Sequence, residues 1–122
     1  MTRARLELGA SGEELAAGWY TAAGYQVLAR NWRCREGELD LIASRGGVAV
    51  FCEVKTRRGD RFGLPAEAVT PAKQRRLRRL ALLWLAERPA GAPRFPDLRF
   101  DVASVVARPG ADPTVEVIEA AF

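Results

Sequence analysis

The chain has 122 residues, 48% of them hydrophobic and 28% charged, with a formal net charge of +4. That length suits one domain with a core of its own, and the composition is that of an ordinary globular protein. Histidine is absent, which excludes a Ser-His-Asp or Cys-His hydrolase, a histidine-dependent nuclease and any histidine-ligated zinc site.

The two cysteines, Cys34 and Cys52, lack C-x-x-C spacing, so any chemistry falls to carboxylates, lysine, arginine and metal-bound water. The longest apolar run, Ala81 to Ala86, is too short to span a membrane, and the N-terminus has no signal-peptide core. The expectation is a cytoplasmic protein with no membrane partner. Of 19 basic residues only Lys55 and Lys73 are lysines. A lysine ammonium is a compact charge whose pKa shifts on burial, which arginine cannot imitate, and this points Lys55 to a specific role. The arginine clusters suit a polyanionic partner or simply a solvated surface.

Ser11-Gly-Glu-Glu14 has the form of a capping box, with Ser11 as N-cap and Glu14 at N3. The predicted helix runs to Ala23 and closes at Gly24. Leu15, Trp19, Ala22 and Ala23 form its apolar stripe, with Glu14 opposite and Glu13 on the flank. By position Glu13 is either a solvated first-turn carboxylate or a group looking along the core edge. A strand follows over Tyr25–Asn31, then a polar turn, Trp32 to Gly37, holding Arg33 and Arg35. The next strand, Glu38–Ala43, sets Leu39, Leu41 and Ala43 on one face and Glu38, Asp40 and Ile42 on the other.

Gly46-Gly47 marks a hairpin into a strand over Val48–Thr56. Val48, Val50, Cys52 and Val54 line one face; Ala49 and Phe51 keep the other apolar until Glu53 and Lys55. A strand apolar on both faces is central and covered on both sides. Charge buried there is unfavourable by several kcal/mol unless paired or metal-bound, so Glu53-Val-Lys55 is either a working site or a buried ion pair. Arg57-Arg58-Gly-Asp-Arg61 reads as a basic loop able to reach phosphate oxygens without reading bases. Phe62 to Pro65 reads as a turn or short lid.

Thr70-Pro71 supplies the N-cap and first turn of a second helix reaching about Arg88. Its stripe is Leu77, Leu80, Ala81, Trp84 and Leu85, with Arg75 and Arg79 opposite and Arg76 and Arg78 flanking. Lys73 and Gln74 share the stripe's side in the first turn, where a lysine can snorkel and a glutamine suits the rim of a site. The arginine run is a solvated face or a phosphate-tracking ridge. Strands over Leu98–Ala107, with Asp101 inside, and Thr114–Glu119 complete the order α-β-β-β-α-β-β. The predicted fold is one mixed-sheet α/β domain over 1–122, core about 9–119, with helices packed on the sheet.

Hydrolysis of a phosphodiester with a hard cation needs carboxylate oxygens to hold Mg²⁺ or Mn²⁺, and a positive group to orient water and offset charge on phosphorus. Asp40 and Glu53 can supply the first, with the Val54 carbonyl as a further ligand, and Lys55 the second. Asp40 and Glu53 lie 53 − 40 = 13 residues apart, a length that two short strands and a tight turn fold back to one end of a sheet.

Asp40…Glu53-Val-Lys55, after a helix carrying Glu13, resembles the PD-(D/E)xK restriction-endonuclease-like superfamily. The chain is similar in particular to the YraN-like bacterial family, described as distantly related to archaeal Holliday-junction resolvases. The matching pieces include Gly12-Glu13, Arg30-Asn31-x-Arg33, Gly37-Glu38-Leu-Asp40, Phe51-x-Glu53-Val-Lys55-Thr-Arg57, Lys73 with Leu77, and Arg99-Phe-Asp101-Val. Leu39 stands where the superfamily motif has proline, and Cys52 where an aliphatic residue is frequent. The resemblance implies a restriction-endonuclease-like fold with Asp40, Glu53 and Lys55 as the catalytic core. It also implies Glu13 as a helix-borne acidic partner that shares the metal with Asp40 and Glu53. The expected function is a metal-dependent endonuclease acting on DNA, with branched or damaged structures as candidate substrates. Arg33, Arg57, Arg58, Lys73 and Gln74 are the expected nucleic-acid contacts, and junction specificity would imply a homodimer. The alternative is a non-catalytic nucleic-acid-binding module on the same fold.

Overall fold

The computed structural model describes residues 8–58 and 69–122, and the side chains of all of these except 8–11 and 58. Its elements are α1 (Leu8–Ala22), β1 (Gln26–Cys34), β2 (Gly37–Arg45), β3 (Val48–Arg58), α2 (Pro71–Ala86), β4 (Asp97–Ala107) and β5 (Thr114–Ile118). The five strands form one sheet in the order β1-β2-β3-β4-β5. Only β3 and β4 are parallel; the other neighbours are antiparallel. A parallel pair cannot be joined by a tight turn, and α2 lies in the crossover between these two strands. Gly46 and Gly47, at φ 59° and 83°, make the tight β2–β3 turn that a two-residue hairpin requires. This is the mixed α/β architecture and element order expected from the sequence.

Two cores result, one on each face of β3. Ala49 and Phe51 pack with Leu77, Leu80, Ala81 and Trp84 of α2. Val50 and Cys52 pack with Ala16, Ala17 and Tyr20 of α1. Cys52 is a packing residue, and burial pushes its thiol up to about 12. The start of α2 matches the expected cap: Thr70 Oγ1 accepts the Lys73 backbone N–H at 3.2 Å, with Pro71 in the first turn. No helix among the described residues is long and apolar enough to cross a membrane.

The structure corrects several sequence expectations. α1 begins at Leu8, so Ser11 lies inside the helix instead of capping it. The buried stripe of α1 is Gly12, Ala16, Ala17 and Tyr20; Leu15 and Trp19 are half-buried and Ala22 is exposed. Small residues let this helix lie close on the sheet. A tyrosine is fully buried among them because its hydroxyl finds a buried partner, which hydropathy alone does not register. β1 continues through Cys34, paired as Trp32↔Leu39, Arg33↔Glu38 and Cys34↔Gly37, which leaves only Arg35 and Glu36 as the turn. Arg57 and Arg58 belong to β3, opposite Val106 and Ala107, not to a loop. Arg61 and the Phe62–Pro65 turn lie outside the described residues. In β2, Leu39 packs with Ile42 in the α2-side core while Leu41 and Ala43 face α1, so the alternation breaks around Asp40.

Asp101, fully buried in β4, organises the polar contacts beneath α1. The Tyr20 hydroxyl donates to its Oδ2 at 2.5 Å, and Arg99 donates from Nε and Nη2 at 2.9 Å each. The Ala120 N–H donates to Oδ1 at 3.0 Å, and Arg99 Nη2 also reaches the Tyr25 hydroxyl at 2.9 Å. Burial, and then the nearby Cys52 and Asp101, push the Tyr20 hydroxyl far above the usual tyrosine range, so it remains a donor. Tyr20→Phe should cost about 1–3 kcal/mol, since one acceptor site on a buried carboxylate is left unmet. Asp101→Ala should cost about 3–5 kcal/mol, since it strips Arg99, Tyr20 and Ala120 of their common acceptor. Urea denaturation of the three proteins measures both.

Candidate functional site

The β2–β3 ladder runs from Arg45↔Val48 to Leu41↔Cys52 and stops there. One further step would set Asp40 opposite Glu53. Instead the Asp40 side chain takes over from the backbone, and its Oδ2 accepts the Val54 N–H at 2.9 Å. The carboxylate of β2 is thereby pinned to the backbone of β3 between Glu53 and Lys55.

Glu53 points to the α2 side, as the alternation of β3 requires, and its side chain is 9% exposed. Its Oε2 receives Lys73 Nζ at 2.5 Å and Lys55 Nζ at 3.4 Å. Lys55 comes from the same strand face. Lys73 comes from the first turn of α2, which the Thr70 cap sets in place. Burial pulls the Lys73 pKa down, but its close contact with Glu53 outweighs this and leaves it raised. Lys55 lies below the usual lysine value because burial and then the neighbouring Lys73 outweigh the more distant Glu53.

Asp40 is pushed up to about 6. Burial is the main cause, opposed by the Val54 N–H and reinforced by the negative charges of Glu53, Glu13 and Glu38. Glu13 is half-buried on α1 one residue after Gly12. With the buried stripe rotated to Ala16, Ala17 and Tyr20, Glu13 falls on the line of that stripe and not on its flank. Its charge is among those that bear on Asp40.

Among the described residues, no three acidic or cysteine side chains stand together as a ready metal cage. Asp40 and Glu53, close enough for their charges to interact, both offer hard carboxylate oxygens. Around Asp40 the negative charges of Glu53, Glu13 and Glu38 add to burial in raising its pKa, and Lys73 is a cation whose charge bears on it. Both features suit Mg²⁺ or Mn²⁺.

The residues assigned to nucleic-acid contact separate into groups. Arg33 is exposed on β1, 3.6 Å from Glu38, two residues from Asp40. Arg57 continues the Glu53–Lys55 face of β3 and is half-buried. The side chain of Arg58 lies outside the described residues. Gln74, half-buried beside Lys73, braces the helix start, its Nε2 donating to the Val69 carbonyl at 3.1 Å. Lys73 is held by Glu53 and so belongs to the carboxylate centre. The rarity of lysine was the available signal for Lys73, and it applied to this residue as much as to Lys55.

Fold and site together define a mixed α/β protein with a carboxylate–lysine centre where its central strand parts from β2. The model of the family described as Uncharacterised protein family UPF0102 matches residues 12–105, and the chain belongs to that family. It is 56% identical over 115 residues to a UPF0102 protein of Nocardia farcinica, covering 94% of this chain and 88% of the relative. It is 55% identical over 115 residues to one of Symbiobacterium thermophilum, covering 94% and 95%. A UPF0102 protein of Acidothermus cellulolyticus is 49% identical over 126 residues, covering 98% and 96%. The matched span runs from Gly12 to Val105 and includes Glu13, Asp40, Glu53, Lys55 and Lys73.

A Cβ at position 12 would stand 2.1 Å from Thr56 Oγ1, so α1 can approach β3 this closely only with glycine there. Gly12→Ala should destabilise by about 1–2 kcal/mol despite the better helix propensity of alanine. In a Thr56→Ala background the nearest atom left is the Cβ, at 3.4 Å, and the same change should be neutral or stabilising. A double-mutant cycle by denaturation tests this seating.

Asp40 also fixes a pH dependence. Its folded pKa lies above the unfolded value, so the native state holds the extra proton between the two, and stability falls as pH rises through about 6. Asp40→Asn keeps an oxygen for the Val54 N–H without the charge. In EDTA it should be more stable than the parent by about 1–3 kcal/mol at pH 8, with the gain gone below about pH 4. Denaturation midpoints at both pH values check the sign.

Proposed function

We propose that this protein is a metal-dependent endonuclease acting on DNA, with a restriction-endonuclease-like arrangement of sheet and site. One observation carries the reading: where β2 and β3 part, Asp40 is held by the Val54 N–H beside a buried Glu53 that already engages Lys55. Two carboxylates and a lysine where a central strand parts from its neighbour are an unfavourable arrangement to maintain for packing alone. Asp40 and Glu53 would hold Mg²⁺ or Mn²⁺, with Glu13 as the third acidic group. That cation would polarise the phosphodiester and supply an activated water. Lys55, with its pKa drawn down, orients the water or offsets charge developing on phosphorus. Arg57, on the same strand face, and Arg33, at the β1 edge, would contact phosphate oxygens and not base edges. Branched or damaged DNA is the substrate this reading favours, and cleavage of a junction would require a homodimer with two such sites.

Purified protein with Mn²⁺ should cut branched or single-stranded DNA, and Asp40→Asn and Lys55→Ala should each lower the rate by about 10²-fold or more. Cleavage that survives both substitutions would trace to another site or a contaminant and defeat the proposal.

The ion pairs on Glu53 support one other reading, a nucleic-acid-binding module in which the carboxylate and the lysines are structural. That module would bind in a salt-dependent way, weakened by Arg57→Ala and unchanged or strengthened by Asp40→Asn. It would take up no Mn²⁺. Calorimetric Mn²⁺ uptake that Asp40→Asn abolishes decides between the two.

A further inference from the structure

Both lysines of the chain end on a single oxygen. Glu53 Oε2 has Lys73 Nζ at 2.5 Å and Lys55 Nζ at 3.4 Å. The closer one is supplied by the other element: Lys55 is two residues along the strand, whereas Lys73 reaches over from α2. The start of α2 is fixed independently of this contact, by Thr70 Oγ1 and by Gln74 on the Val69 carbonyl. The Lys73 side chain is 25% exposed and the Glu53 side chain 9%. The ammonium therefore has water on one side and a flexible stem behind it, while the carboxylate is fixed in the sheet. A buried carboxylate without a cation is strongly disfavoured, and among the described residues Lys73 is the cation closest to Glu53.

We propose that Lys73 is an exchangeable internal counter-ion. Its ammonium neutralises Glu53 in the metal-free protein, leaves that oxygen before the carboxylate serves a divalent cation, and then contacts a phosphate of the polyanionic substrate. The inference rests on the nuclease reading and concerns the regulation of the same site. Two consequences follow from competition for one carboxylate. Lys73 holds down the affinity of the free protein for divalent cations. A phosphate that draws Lys73 away removes the competitor, so nucleic acid and metal each tighten binding of the other by the same factor. Lysine suits such an exchange, because its point charge lacks the two-pronged grip by which arginine locks a carboxylate.

The test is a Mn²⁺ titration of the full chain, read by calorimetry and by the electron paramagnetic resonance of free Mn²⁺, on parent, Lys73→Met and Lys73→Arg proteins. Lys73→Met should bind Mn²⁺ about tenfold tighter, the scale of one charge-assisted hydrogen bond, and Lys73→Arg no tighter than the parent. A short DNA duplex should tighten Mn²⁺ binding several-fold in the parent and leave Lys73→Met unchanged. Lys73→Gln, which also removes the charge, replaces the methionine variant if that one fails to fold by circular dichroism. Equal or weaker Mn²⁺ binding by a folded neutral variant overturns the exchange and leaves the nuclease reading standing. Absence of Mn²⁺ uptake in all the proteins, or uptake that persists in Asp40→Asn, overturns the nuclease reading and this inference together.

Discussion

The hydrogen bond from the Val54 N–H to the Asp40 carboxylate is the interaction on which the rest of the site depends. A central strand covered on both faces can carry charge midway only if each charged group is met. β3 is apolar on both sides from Ala49 to Cys52 and then carries Glu53 and Lys55. By ending the ladder at Leu41↔Cys52, the sheet opens a gap at its centre and fills it with a side-chain carboxylate. The backbone donor that lost its strand partner is satisfied, and an acidic group is placed at a depth that an exposed loop could not provide.

The two helices are held against this opening by different means. α2 is anchored by apolar packing on Phe51 and by its capped first turn, and the same turn delivers Lys73 to Glu53. α1 is anchored by close approach at Gly12 and, two turns later, by Tyr20 on Asp101. Between those anchors the helix cannot roll without opening either contact, and Glu13 rides beside the first of them. The Asp101 network thus lies apart from the candidate chemistry but governs the element that carries Glu13. The Ala120 N–H on the same Asp101 brings the chain beyond β5 into this support.

Much of this was legible in the sequence where the deciding interaction is local. The alternation of β3, the Gly46-Gly47 turn, the Thr70-Pro71 start of α2 and its stripe all depend on neighbours within a few residues, and each matches the structure. The readings that failed depend on distant partners. Tyr20 faces inward because its hydroxyl meets a residue 81 positions away, and that contact rotates the whole stripe of α1. Trp32 to Cys34 extend β1 because β2 offers them backbone partners, which outweighs the turn-like composition of the segment. Leu39 changes face because the ladder ends beside it, a break invisible to a count of alternating residues. Lys73 was legible as a residue type but not as a neighbour of Glu53, since its position depends on how α2 crosses the sheet.

The two buried carboxylates offer a comparison within one molecule. Asp101 is gripped by both prongs of Arg99, by Tyr20 and by a backbone N–H, so its oxygens are fully engaged by rigid donors. Glu53 is met instead by two ammonium groups on flexible stems, both on one oxygen, in a chain that otherwise uses arginine for all its positive charge. A guanidinium fork fits a carboxylate that is to stay in one place, because breaking it forfeits two parallel hydrogen bonds at once. An ammonium forfeits one contact and is readily rehydrated. The choice of base thus divides the carboxylates by role: arginine where the fold has to be held, and lysine where, on the proposed reading, the carboxylate has to be given up to a metal.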